Sequence, residues 1–173
     1  MGWDFADDTV RILETGELDV PASPVPSLTF AAAMHRGERF GAVLFLRLWR
    51  NGKWDSDSAL TARAPDGRWE APGGCGGYGW VDPYVRPETW DGRHLCTMGG
   101  HGTIVEDVDG LQRELVAVDG IAGQHVRTIL VESRDGSFEY ELTSPLGAFI
   151  VVVEGATPPQ LTPFDERGVP LSS

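Results

Sequence analysis

The stretch that most constrains this fold is residues 126–142, where two runs of alternating apolar and polar residues flank an Asp-Gly pair. Asp135-Gly136 is typical of a two-residue hairpin turn, because a type I′ turn needs positive φ at both central residues. With these two residues as the turn, Val131 lies opposite Tyr140 on an apolar face. A hairpin with one apolar face needs a second layer to cover it.

The same turn signal recurs along the chain, which has five Asp-Gly pairs and one Asn-Gly pair in all. Strands at short, regular spacing with such turns are typical of an all-β chain. Outside the first hairpin, the predicted strands are residues 10–13, 28–34, 40–49, 59–64, 68–71, 103–108, 111–118, 148–153 and 161–164. No helix longer than two turns is predicted. The pattern therefore predicts an antiparallel two-sheet β-sandwich of about eight to ten strands.

Two further turns are predicted from such pairs. Asn51-Gly52 predicts a hairpin that sets Trp49 opposite Trp54. Asp119-Gly120 predicts another chain reversal.

Residues 1–173 are predicted to form one domain, with residues 72–102 as an irregular insertion loop. Glycine and proline are too dense there to predict long strands. A structureless loop of this length is uncommon unless it has a function or a covalent staple.

Charge and hydropathy exclude several partners. The net charge of −12, with Lys53 as the single lysine, repels nucleic acid and anionic membranes. No apolar run approaches the roughly 20 residues that span a bilayer, so no membrane insertion is expected. The first residues lack the layout of a signal peptide, so the chain is either cytoplasmic or begins after an export segment.

Two cysteines, Cys75 and Cys96, both lie within residues 72–102. They are compatible with one disulfide, with half of a metal site or with two separate thiols. The disulfide is the favoured interpretation, and by the chain-entropy model it would raise the free energy of unfolding by about 3 kcal/mol. No metal ligand set and no cofactor are predicted, because no C-x₂-C element accompanies His94 and His101.

Residues 116–168 resemble a known kind of module. They contain Val116-x-Val118-Asp119-Gly120, then Val126-x-x-Ile129-x-Val131, Asp135-Gly136 and a final Phe164-Asp165-x-x-Gly168. This order resembles the Ig-like or transthyretin-like β-sandwich modules of exported, uncharacterised bacterial proteins. The resemblance implies an Ig-like sandwich, an extracytoplasmic location and a spacer, sensor or adhesion role, and it brings no catalytic residues.

Aromatic residues supply the strongest functional signal. The candidate ligand-binding residues are Tyr78, Trp80, Tyr84 and Trp90. Aromatic rings on a loop suit a sugar face or a protein surface, although they could instead form a small core for the loop. The leading hypothesis is a non-catalytic binding or structural module that recognises a protein or a carbohydrate.

The alternative hypothesis is a cysteine- or metal-dependent enzyme centred on Cys96 and His101, with Asp107 as the orienting acid. A thiol nucleophile needs a base and an orienting group nearby. Residues five apart on a strand point to opposite faces, so Cys96 and His101 meet only if the chain bulges between them. His35 and His125, near strand ends, are read as surface histidines.

Overall fold

The computed structural model describes residues 5–23, 25–72, 74–81 and 92–171. For residues 74–81 and for Met98 it describes the backbone only. These ranges contain one helix and ten strands. The elements are α1 (Ala6–Thr15), β1 (Thr29–Arg36), β2 (Phe40–Leu48), β3 (Trp54–Ala62), β4 (Gly74–Val81), β5 (Leu95–Glu106), β6 (Gln112–Ala122), β7 (Thr128–Ser133), β8 (Gly136–Glu141), β9 (Ala148–Glu154) and β10 (Gln160–Phe164).

The strands form three antiparallel sheets, and within the described ranges none closes into a barrel. The first sheet has the order β1-β2-β3-β4, the middle sheet β5-β6-β9 and the third sheet β10-β7-β8. The predicted all-β, sandwich-like class is confirmed, with three sheets in place of the two expected. The third sheet lies on the outer face of the middle sheet, so the stack has an additional β layer.

Burial shows the order of the layers. Leu115 and Ile150 of the middle sheet pack with the first sheet, whereas Val116 and Phe149 pack with the third sheet. The middle sheet is thus covered on both faces, which is why residues 148–153 read as a continuous apolar run. All six are buried.

The N-terminal segment is a helix, and the prediction of a strand at residues 10–13 was wrong. Ile12 and Leu13 of α1 pack on the outer face of the first sheet, and Phe5 stacks on Phe45 with 4.2 Å between the ring centroids. Gly16 ends the helix in the left-handed region, at φ 72°, and its N–H donates to the Ile12 carbonyl. No helix in the described ranges is long and apolar enough to cross a membrane.

The hairpin at residues 126–142 forms, but its predicted register was wrong by two residues. Val131 pairs with Phe138, and Arg134 and Asp135 are the turn. The predicted register would have set Glu132 opposite Glu139, a repulsive pair, whereas Glu132 in fact pairs with Ser137. A shift of two residues leaves every side chain on its predicted face.

The hairpin of β2 and β3 is confirmed, with a register shifted by one residue. Leu48, instead of Trp49, pairs with Trp54. The Trp49 N–H donates to the Lys53 carbonyl at 2.8 Å, so Asn51-Gly52 lies within a longer loop than a two-residue turn. Gly52 has φ 81° there.

The prediction of an irregular loop over residues 72–102 was wrong for the described part of it. Residues 74–81 form β4 and pair with β3, and residues 95–102 belong to β5 and pair with β6. The hydrogen bonds between strands are made by the backbone and need no side chain. Pairing with a neighbouring strand can therefore stabilise a glycine-rich segment as a strand, although glycine has a low intrinsic strand propensity.

Asp119-Gly120 is not a turn but lies in the middle of β6, which corrects the prediction. Gly120 pairs with Phe149 of β9 and faces a bulge in β5 between Thr97 and Gly99. A side chain at this position would overlap the carbonyl oxygen of Cys96 and come within 2.9 Å of the Phe149 ring. The glycine therefore allows close approach of backbones instead of a reversal.

Replacing Gly120 with alanine should lower the free energy of unfolding by about 1–3 kcal/mol, because the added methyl group forces backbone and ring to move. Urea unfolding measures the change. Gly102→Ala is the matched control on the neighbouring strand, since its added carbon would meet the Leu115 carbonyl at an ordinary 3.6 Å. Equal effects of the two substitutions would contradict the close-approach explanation.

Candidate functional site at three sheet edges

The predicted aromatic binding residues lie in or beside β4. Tyr78 and Trp80 belong to β4, whose side chains are outside the description, and Tyr84 and Trp90 lie outside the described residues. Recognition through these rings therefore stays a prediction.

The two cysteines lie on different sheets. The backbone of Cys75 pairs with Ala59 in the first sheet, and Cys96 pairs with Ile121 in the middle sheet. Cys96 is exposed, and no disulfide is found among the residues whose side chains are described. The side chain of Cys75 is not one of these, so the bridge stays a prediction.

Cys96 and His101 point to the same face of β5, because the bulge between Thr97 and Gly99 adds a residue to the strand. They are nevertheless far apart. Their partners on β6 are four residues apart, which corresponds to about 13 Å along a strand. The His101 ring instead lies 3.3 Å from the Ser58 hydroxyl of β3, and burial lowers the pKa of His101.

Asp107 does not orient His101. Its side chain is 1% exposed and is ion-paired with Arg39 and Arg113 at the end of the β5–β6 hairpin. Burial favours a higher pKa for Asp107, but hydrogen bonds from Val108 and Arg39 and the charges of both arginines outweigh burial and lower it. The structure thus does not bring Cys96, His101 and Asp107 together. In the described residues no group of three or more His, Cys, Asp or Glu side chains could hold a metal ion.

Two buried polar residues within the apolar core between the first and middle sheets were missed by sequence reasoning. Ser58 of β3 is 2% exposed, and Asp119 of β6 is 3% exposed. Asp119 was read as a turn residue, so nothing in its local sequence indicated burial. The Ser58 hydroxyl is closed off from solvent, and its contact with His101 satisfies polar groups inside the core.

A groove of about 720 Å³ lies where one edge of each sheet converges. β1 ends the first sheet, β9 ends the middle sheet and β8 ends the third sheet. The apolar residues that line it are Met34, Phe40, Phe138, Tyr140 and Val152, and the charged ones are Arg36, Glu38, Arg39, Glu139 and Glu141. The groove thus combines an apolar lining with charged groups of both signs.

His35 is buried at the base of this groove, which corrects its reading as a surface histidine. Its Nδ1 accepts a hydrogen bond from the Val152 N–H at 3.1 Å, and its ring packs edge-on against Phe138. Burial lowers the pKa of His35 to about 4. A β-bulge at Ala31–Ala33 turns the imidazole inward, and no local pattern indicates that bulge. His125 is exposed, as predicted.

Tyr140 makes the second link between the edges. Its hydroxyl donates to the Met34 carbonyl at 3.0 Å and so ties β8 to β1. Burial raises the pKa of Tyr140, and a hydrogen bond with the Ile150 backbone acts in the opposite direction. His35 and Tyr140 together hold the three edge strands in fixed positions, so the groove is preformed.

β8 presents an open backbone edge to the groove, because β7 is its only strand partner in the described ranges. The Leu142 N–H donates to the Arg127 carbonyl at 2.9 Å and therefore points toward β7. Backbone groups of successive strand residues alternate between the two edges, so those of Glu139 and Glu141 point to the open edge. Residues 138–141 all line the groove, which shows that a strand edge forms its wall.

Comparison of this chain with protein-family models, curated proteins and solved structures found no match. A function is therefore inferred from the contacts within the chain itself, and the resemblance to Ig-like and transthyretin-like modules stays a prediction.

Proposed function

We propose that this protein is a non-catalytic binding module that takes up an extended segment of a partner protein as an added strand along β8. The observation that carries the proposal is the open edge of β8, which forms one wall of the groove of about 720 Å³. Strand addition to an exposed sheet edge is a recurrent mode of peptide recognition.

The groove offers both components of that mode. The backbone groups of Glu139 and Glu141 can pair with the backbone of an incoming strand, which supplies affinity without regard to sequence. Side chains of the incoming strand that point inward would meet Phe40 and Phe138, which line the same groove. Arg36 and Glu139 place both signs of charge there, which favours a segment carrying both signs over a uniformly charged one.

The predictions of a contact surface at Tyr78, Trp80, Tyr84 and Trp90 and of an extracytoplasmic location belong to the same proposal. Both suit a module that recognises a protein or a carbohydrate, and both rest on the sequence. The resemblance to modules of exported bacterial proteins supports the location.

Replacing Glu139 with proline should weaken peptide binding at least about tenfold, because proline removes the outward N–H and its ring obstructs an added strand. The probe is a linear peptide selected from a random-sequence phage library on the wild-type protein, and fluorescence anisotropy measures its affinity. Proline is tolerated on an edge strand when its nitrogen faces outward, so the fold is expected to persist.

Glu139→Ala is the matched control, since it removes the same side chain and keeps the N–H. It should bind the peptide nearly as well as the wild type does. Equal loss in both variants would show that the carboxylate, and not the backbone edge, makes the contact. Unchanged binding in both, or failure to select any peptide, would overturn the proposal, and circular dichroism checks that the proline variant is folded.

A further inference from the structure

A second cleft, of about 360 Å³, lies where residues 92–94, 123–127 and 165–171 meet, and it shares no described residue with the groove. Three arginines and one histidine line it, together with Leu171 and two acidic residues. The arginines are Arg93, Arg127 and Arg167, and the histidine is His125. Three arginines in one small cleft are a large share of the 14 lysines and arginines in a chain whose net charge is −12.

Backbone contacts hold the loops of this cleft together. The His125 N–H donates to the Gly92 carbonyl at 2.9 Å, and the Arg127 N–H donates to the Phe164 carbonyl at 2.8 Å. Gly123 lies against Gly92 so closely that a side carbon on Gly123 would overlap the Gly92 backbone. The cations are therefore attached to a rigid junction, as a preorganised site requires.

Two carboxylates, Asp165 and Glu166, also line the cleft, so its three arginines exceed its acids by one charge. Asp165 Oδ1 accepts hydrogen bonds from the N–H groups of Arg167 and Val169, at 2.8 and 2.9 Å. The Val169 hydrogen bond, with the Arg167 bond and the charges of Arg167 and Arg93, lowers the pKa of Asp165. Asp165 is therefore ionised and offsets part of the charge of Arg93 and Arg167, while its Oδ1 is bonded within its own turn.

The Arg127 guanidinium is also held in place. Its Nη1 donates to the carbonyls of Gln124 and Val126, at 2.8 and 3.0 Å. A guanidinium has five N–H donors in a fixed fork, so these two bonds leave further donors for a ligand.

We propose that this junction, formed by Arg93, Arg127 and Arg167, is a binding site for a small phosphate-type dianion. Arginine forks match the oxygens of phosphate and can bond two of them at once. A phosphate dianion offers more oxygens and more charge to several guanidiniums than a monocarboxylate does, and these local contacts must outweigh the repulsion from the overall negative charge of the protein. A cavity of this volume accommodates a small phosphorylated molecule.

The test titrates inorganic phosphate into ¹⁵N-labelled protein at constant ionic strength and follows the backbone amide and arginine Nε–H signals by NMR. Saturable shifts confined to residues 92–94, 123–127 and 165–169 are expected. Arg167→Gln should weaken binding at least about tenfold, equivalent to about 1.4 kcal/mol for one charge-assisted contact. Arg93→Gln is a second variant with the same expectation.

Arg68→Gln is the matched control, because Arg68 is an arginine on a different hairpin with 80% of its side chain exposed. It should leave the phosphate affinity unchanged. Acetate at the same ionic strength should give weaker, non-saturating shifts. Equal loss in the control variant, saturation by acetate with the same affinity, or linear shifts spread over the surface would each overturn the proposal.

Discussion

Acidification from above pH 6.5 to pH 4 should lower the free energy of unfolding by about 3 kcal/mol through His35 alone. In the folded protein the buried imidazole has a pKa of about 4, whereas in the unfolded chain it has the ordinary value of about 6.5. Between these values the unfolded state binds a proton that the folded state does not. The contribution of His35 to the free energy of unfolding is therefore fully present above pH 6.5, falls as the pH decreases, and levels off below pH 4.

The physical cause is the burial of the imidazole, which disfavours its charged form. A proton on Nδ1 would eliminate the acceptor of the Val152 N–H and place a charge beside Phe138 and Tyr140. Urea unfolding at a series of pH values measures the effect, with stability compared between the wild type and His35→Asn. Asparagine keeps an acceptor at the position of Nδ1 and does not titrate.

The difference between the two proteins isolates His35, because every other group titrates alike in both. His35→Asn should lose most of the decline between pH 6.5 and 4, although it is less stable overall. His125→Asn, at an exposed histidine, should keep the wild-type decline. A variant at position 35 with the same pH dependence as the wild type would show that this imidazole is not the titrating group.

Replacing Trp69 with alanine should lower the free energy of unfolding by about 3–5 kcal/mol, the usual cost of removing a buried aromatic ring. Trp69 is 5% exposed and joins α1 to the first sheet. Its indole N–H donates to the Leu13 carbonyl at 3.0 Å, and its ring covers Gly41. The substitution thus leaves a cavity and also removes the partner of a buried carbonyl.

Trp69→Phe separates the two contributions. It keeps most of the apolar volume and loses the hydrogen bond, so it should cost only about 1–2 kcal/mol. Amide hydrogen exchange in both variants should show the largest loss of protection in α1. A loss below about 1 kcal/mol for the alanine variant would mean that α1 does not contribute to the cooperative fold.

The register of the 126–142 hairpin shows how far local pattern extends. Alternation placed Val131 and Phe138 on the buried face correctly. It did not decide between two registers that differ by two residues, since both bury the same side chains. The observed register avoids the repulsive pairing of Glu132 with Glu139 and sets Glu132 opposite Ser137.

The helix and the glycine-rich strands show the opposite case. Residues 10–13 are too short a run for periodicity to separate helix from strand. α1 forms because the first sheet offers an apolar outer face, with Phe45 and Trp69 as partners distant in sequence. β4 and β5 likewise exist because β3 and β6 pair with them.

The amino-acid sequence by itself determined the all-β class, most of the turns and the strands with strong alternation, because these depend on residues within one or two positions of each other. Only the tertiary structure decided the three-layer stack, the bulges and the meeting of the three sheet edges. The hydrogen bond between His35 and Val152 joins residues 117 positions apart. Such a contact depends on where whole sheets pack, so no local pattern encodes it.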